Sequence, residues 1–68
     1  MITEIGIVAG EIWQYLEKYN EATLSQITHA IKRERDIVML SLGWLGREGH
    51  ILIVKEGDEY RITFRKKE

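Results

Sequence analysis

The stretch Asp36-Ile37-Val38-Met39-Leu40-Ser41-Leu42-Gly43-Trp44-Leu45 carries more apolar side chains than one helix can bury in a small domain. One helical stripe, at a step of about 100° per residue, consists of Val38, Leu42 and Leu45. A second stripe, turned by roughly a third of a revolution, consists of Ile37, Leu40 and Trp44. One stripe can face the domain's own core. We therefore expect the second stripe to need another surface that covers it.

The composition indicates one small domain that spans residues 1–68. At this length about 60% of the unfolded chain's surface is buried on folding, close to the lower limit for folding alone. The chain has no cysteine, so neither a disulfide nor a thiolate metal site stabilises it. No apolar run reaches the roughly 18 residues of a membrane span, and the N-terminus lacks the basic start of a signal peptide. These features predict a cytoplasmic protein with no membrane association.

The charge is small overall and unevenly distributed. The net charge of −1 argues against a strong general attraction to nucleic acid. Residues 1–31 hold four glutamates and one lysine, which sum to −3, whereas residues 32–68 hold nine basic and seven acidic groups, which sum to +2. About a quarter of the residues in any soluble domain are charged, so an ordinary solvated surface explains this distribution as well as a binding surface does.

Helical periodicity marks three helices before residue 50. The first has Thr3 as its predicted N-cap and Asn20 as a left-handed stop. Its apolar stripe comprises Ile5, Val8, Ala9, Ile12, Leu16 and Tyr19. Thr23-Leu24-Ser25-Gln26 matches a capping box, which predicts a short second helix, and Glu21-Ala22 before it reads as a brief strand. A tight polar connection over 32–35 leads to a third helix from about Arg35 to Glu48, stopped by Gly49.

The C-terminal third predicts a β-hairpin. Residues 51–56 and 59–65 form its strands, and Gly57-Asp58 forms a two-residue turn. That turn places Ile53 opposite Ile62 and Ile51 opposite Phe64, on the face that should cover the helices. The other face carries Leu52 and Val54 beside Arg61, Thr63 and Arg65. We expect the tail, residues 65–68, to be frayed.

The order of helix, short helix, tight turn, helix and hairpin is that of a winged helix-turn-helix, an α+β fold. The run Leu42-Gly43-Trp44-Leu45-Gly46-Arg47-Glu48-Gly49-His50-Ile51 resembles the LGWLxREGxI stretch of DUF2582, a small bacterial and archaeal winged-helix family of unknown function. The first helix, with Ile5-Gly6, Ala9-Gly10 and Ile12-Trp13, is similar to that family too, so the resemblance covers nearly the whole chain. It implies the winged-helix fold and DNA binding, but no characterised activity.

A DNA-binding hypothesis assigns contacts to the third helix and its surroundings. In a winged helix this helix enters the major groove with its N-terminal residues at the base edges. The predicted DNA contacts are Lys32, Arg33, Arg35, Met39 and Arg61. Apolar Met39 and Leu40 stand against this hypothesis, because they cannot hydrogen-bond to base edges, and Glu34 and Asp36 would repel phosphates. The predicted function is DNA binding in transcriptional regulation by a homodimer, and the alternative is a protein-interaction module with the same fold and no DNA binding.

A protein-interaction hypothesis uses the surplus apolar surface. Its predicted dimer interface consists of Ile37, Leu40, Trp44, Leu52 and Val54. Isologous dimers are the commonest assembly, so a homodimer is the expected partner arrangement. The alternative is that Trp44 packs within a single chain.

Catalysis has little support in the sequence. His29 and His50 are the only histidines, and they have no metal-binding spacing. No glycine-rich phosphate loop follows a strand. We therefore expect no enzyme activity, no cofactor, no metal and no small-molecule ligand.

Overall fold

The computed structural model describes residues 2–65 and has three helices and three strands there. In chain order they are α1 (Ile2–Tyr19), β1 (Glu21–Thr23), α2 (Leu24–Ile31), α3 (Arg35–Arg47), β2 (Ile51–Glu56) and β3 (Glu59–Phe64). This α+β arrangement is the predicted winged helix-turn-helix. Of the tail predicted to be frayed, residues 66–68 lie outside the described range.

The ends of α1 and α2 depend on residues in the left-handed region. Asn20 has a φ of 71° and its N–H donates to the Leu16 carbonyl at 2.7 Å, which confirms it as the stop of α1. The predicted N-cap at Thr3 is wrong, since Thr3 already lies inside α1. The capping box of α2 is confirmed, with Thr23 and Gln26 bonded in both directions. The connection after α2 has no glycine, and Lys32 itself adopts a φ of 56° to make the turn.

The end of α3 is a Schellman motif built on Gly49. Gly49 has a φ of 80°, which a residue without a Cβ adopts at little cost. Its N–H donates to the Gly46 carbonyl at 3.1 Å, and the next N–H, from His50, donates to the Leu45 carbonyl at 3.0 Å. These two bonds satisfy carbonyls that the helix end leaves unpaired. The motif turns the chain directly into β2.

The hairpin is part of a three-stranded antiparallel sheet with the order β1-β3-β2. The predicted register is confirmed: Ile51 pairs with Phe64, and Ile53 pairs with Ile62. The brief strand predicted at Glu21-Ala22 is also confirmed, and it pairs with β3 on the side away from β2. Because β3 lies between two partners, its Ile62 is fully buried.

The core lies between the three helices and the inner face of the sheet. Its fully buried apolar side chains are Val8, Ile12, Leu16, Leu24, Ile27, Val38 and Ile62. Ser41 is the one buried polar side chain among the described residues. Its hydroxyl lies 2.7 Å from the Ile37 carbonyl and 3.3 Å from the Ile5 carbonyl, so it bonds within α3 and faces the backbone of α1. This small residue sits where α1 and α3 contact each other.

The prediction that Ile37 belongs to the exposed stripe of the third helix is wrong. Its side chain is only 8% exposed and forms part of the core. Helical geometry explains the difference. Ile37 lies about 40° from Ser41 around the axis, on the side of α3 that contacts α1. Leu40 and Trp44 are turned further outwards and stay exposed.

Candidate interaction surface on the third helix

The solvent-facing side of α3 carries a mixed apolar and charged surface. We call it the outer face of α3; it consists of Asp36, Met39, Leu40, Gly43, Trp44 and Arg47, all of them exposed. The exposed fractions of Met39, Leu40 and Trp44 are 38%, 48% and 51%. Leu40 and Trp44 are four residues apart and therefore neighbours on the helix surface. The structure thus confirms the exposure predicted for Leu40 and Trp44.

Gly43 opens a gap in the middle of this face. A Cβ built on Gly43 would have no heavy atom within 4 Å, so no part of the same chain fills the space. A glycine in this position lets another chain approach the helix backbone closely. The outer face therefore has large side chains on either side of a shallow centre.

Arg33, one of the predicted DNA contacts, is held by a carboxylate of its own chain. Its Nε donates to Glu11 Oε1 at 3.0 Å and its Nη2 donates to Glu11 Oε2 at 2.7 Å. This bidentate pair joins α1 to the turn before α3. The hydrogen bond from Arg33 lowers the pKa of the Glu11 carboxyl, and the same bond raises the pKa of Arg33. Arg33 would have to leave this pair to contact a phosphate.

Arg61 is held in the same way on the outer face of the sheet. It pairs with Glu56 of β2 at 3.0 Å and also with Glu21 of β1. Hydrogen bonds to Glu56 and Glu21 raise the pKa of Arg61. The guanidinium therefore joins both outer strands across β3, and the carboxylates of Glu21 and Glu56 already balance its positive charge.

The two remaining basic DNA candidates, Lys32 and Arg35, are exposed and form no ion pair within residues 2–65. The surroundings of Lys32 are nevertheless acidic as well as basic. A shallow groove at the start of α3 is lined by Glu4, Lys32, Arg33, Glu34, Asp36, Ile37 and Leu40. Three carboxylates thus line the groove with two basic groups, and phosphate would meet both signs of charge there.

The hairpin adds a second apolar surface. Leu52 and Val54 of β2 are 52% and 45% exposed on the outer face of the sheet, as predicted. Ile53 lies on the inner face, but it is still 39% exposed because β2 is an edge strand. Its Cδ1 would lie 3.6 Å from a Cβ built on Gly46, an ordinary van der Waals distance, so Ile53 lies beside α3 at that glycine.

The two histidines lie in different parts of the fold. The His50 ring packs edge-on against Trp13 with a centroid distance of 4.4 Å, and Trp13 also contacts Phe64 at 5.4 Å. His29 is exposed on α2. Within residues 2–65 no three His, Cys, Asp or Glu side chains are grouped as metal ligands require. No helix in that range is long and apolar enough to cross a bilayer.

Three helices followed by a hairpin on a small sheet define the class as a winged helix-turn-helix domain. The chain belongs to the family described as the winged helix-turn-helix domain DUF2582, whose model matches residues 1–64. The predicted family membership is confirmed. The fold is one that commonly binds DNA and is typically not enzymatic.

The names of the similar proteins state no activity. The chain is 35% identical over 65 residues to the uncharacterized protein MJ1608 of Methanocaldococcus jannaschii, with 91% of each chain covered. It is also similar to the solution NMR structure of protein BT2368 from Bacteroides thetaiotaomicron, with a TM-score of 0.80 and 21% identity. That match covers 91% of this chain and 76% of the other, and it concerns the fold alone.

Proposed function

We propose that this winged helix is a protein-interaction module that forms a homodimer through the outer face of α3, and that it is not an enzyme. The observation that carries the proposal is the half-exposed pair Leu40 and Trp44 on the helix that winged-helix proteins use for recognition. Aromatic residues and methionine are enriched at the centres of protein interfaces. A helix that reads DNA presents hydrogen-bonding side chains there instead.

Charge supports the same proposal. Two of the predicted DNA contacts, Arg33 and Arg61, already pair with carboxylates of the chain. The net charge of −1 provides little general attraction to a phosphate backbone. Protein association through an apolar face needs no such attraction.

The test of the homodimer is sedimentation equilibrium over a wide range of protein concentrations. We expect the wild type to pass from monomer to dimer, and Trp44→Glu to remain a monomer because it would bury an unpaired charge in the interface. Ile7→Glu is the matched control, since Ile7 is 55% exposed on α1, away from the outer face of α3. A wild type that stays monomeric throughout would contradict the proposal.

Duplex DNA is the second candidate, favoured by the fold and by Lys32 and Arg35 near the start of α3, which form no ion pair within residues 2–65. Titration of labelled duplex at several salt concentrations tests it. For DNA binding, log affinity falls with log salt, and removing two phosphate contacts makes the slope shallower by about 2. We expect Lys32→Ala/Arg35→Ala to show that change and Arg33→Ala/Arg61→Ala, whose side chains are paired, to show less. Absence of binding at low salt would eliminate DNA as the ligand.

A further inference from the structure

We propose that two copies of α3 pack antiparallel across a two-fold axis level with Ser41 and Leu42, with Asp36 of each copy facing Arg47 of the other. This inference rests on the proposed homodimer and adds its geometry. It follows from the order of side chains along the outer face of α3.

The central row of the outer face has symmetric spacing: Asp36, Leu40, Gly43 and Arg47 are separated by four, three and four residues. At about 100° per residue, Asp36, Leu40, Gly43 and Arg47 lie within a sector of roughly 60°. Asp36 is at the N-terminal end of this row and Arg47 at the C-terminal end. An antiparallel partner therefore places an acid opposite a base at both ends, whereas a parallel partner places like charges together.

The apolar side chains complement one another in the same register. Leu40 lies at one edge of the row and Trp44 lies beside it on that flank, so a two-fold axis brings Leu40 of one copy against Trp44 of the other. Met39 lies on the opposite flank, next to Gly43, and faces the open space above Gly43 of the other copy. Each large side chain then meets either an apolar partner or a gap.

The charged ends are available for this pairing. Asp36 and Arg47 are exposed, and neither forms an ion pair within residues 2–65. Their Cα atoms are separated by eleven residues, or about 16 Å at 1.5 Å per residue. The two ends thus flank the whole apolar centre. The same packing covers the side of α3 that would enter a DNA groove, so dimerisation and major-groove binding exclude each other.

The test is a set of charge exchanges, measured as dimer dissociation constants. Asp36→Arg and Arg47→Asp each place like charges at both ends of the interface, and we expect each to weaken the dimer by about tenfold or more. Mixing these two variants should give a heterodimer about as stable as the wild-type dimer. The double variant Asp36→Arg/Arg47→Asp should also dimerise nearly as well as the wild type.

Two control variants separate this geometry from net charge. Glu17→Arg and Lys18→Asp change the charge by the same amounts at exposed positions of α1 and should leave the dimer unchanged. A dimer that tolerates both single exchanges on α3 would overturn the antiparallel register while leaving the homodimer proposal intact. A wild type that never dimerises would overturn both. Circular dichroism of each variant confirms that the domain is folded.

Discussion

Ile62→Ala is expected to leave much of the protein unfolded at room temperature. Ile62 is completely buried. It lies on the central strand β3, between Ala22 of β1 and Ile53 of β2. Truncating a buried isoleucine costs about 2–5 kcal/mol. A domain of this size rarely has more than about 3–5 kcal/mol of stability in total. Urea denaturation followed by circular dichroism measures the loss.

Ile53→Ala is the matched control for that experiment. It removes the same side chain from the neighbouring position on the same face of the sheet, but from the edge strand, where Ile53 is 39% exposed. We expect it to cost about 1 kcal/mol, because less apolar surface returns to water. Equal losses for the two variants would contradict the assignment of β3 as the central strand. Both are measured at low protein concentration, since dimerisation adds to apparent stability.

Ile37→Ala is expected to impair mainly folding, and Leu40→Ala is expected to impair mainly dimerisation. Ile37 is 8% exposed and Leu40 is 48% exposed, although they are neighbours on α3. Ile37→Ala should lower the free energy of unfolding by about 2–4 kcal/mol through loss of core packing. Leu40→Ala should lower it by only about 0.5 kcal/mol.

Dimerisation should be affected in the reverse order, with the larger effect for Leu40→Ala. Leu40→Ala should weaken the dimer, because its side chain lies on the outer face of α3. Ile37→Ala, at a temperature where it remains folded, should dimerise like the wild type. Denaturation curves and sedimentation equilibrium on the same samples give both quantities. If Ile37→Ala instead impaired dimerisation without loss of stability, the placement of Ile37 in the core would be wrong.

Local sequence signals predicted most of the fold because they act over a few residues. The capping box at Thr23, the left-handed stop at Asn20 and the glycine at position 49 each determine a helix end by bonds to near neighbours. The two-residue turn at Gly57-Asp58 fixes the strand register. These features do not depend on how the elements pack together.

The interaction surface was less predictable because it depends on tertiary packing. Periodicity placed Ile37 with Leu40 and Trp44, but it does not specify where α1 contacts α3. Ser41 marks that contact, since a small side chain allows the backbone of α1 to approach. A small residue between two apolar stripes is thus the signal that could have assigned Ile37 to the core.

Short sequence patterns also do not predict the ion pairs that the proposed DNA contacts form within the chain. Glu11 and Arg33 are 22 residues apart, and Glu21 and Arg61 are 40 residues apart. The second pair forms only because β1 joins the sheet beside β3. The sequence predicted that brief strand but not its partner, so Arg61 remained a candidate for DNA.

Isotope-filtered NMR on a mixture of labelled and unlabelled protein tests the central claim most directly, namely that a second α3 covers the outer face of α3. We predict intermolecular cross-peaks between the methyl groups of Leu40 and the indole protons of Trp44, which weaken on dilution. Absence of intermolecular cross-peaks at high concentration, or cross-peaks confined to Leu52 and Val54 of the hairpin, would contradict the account.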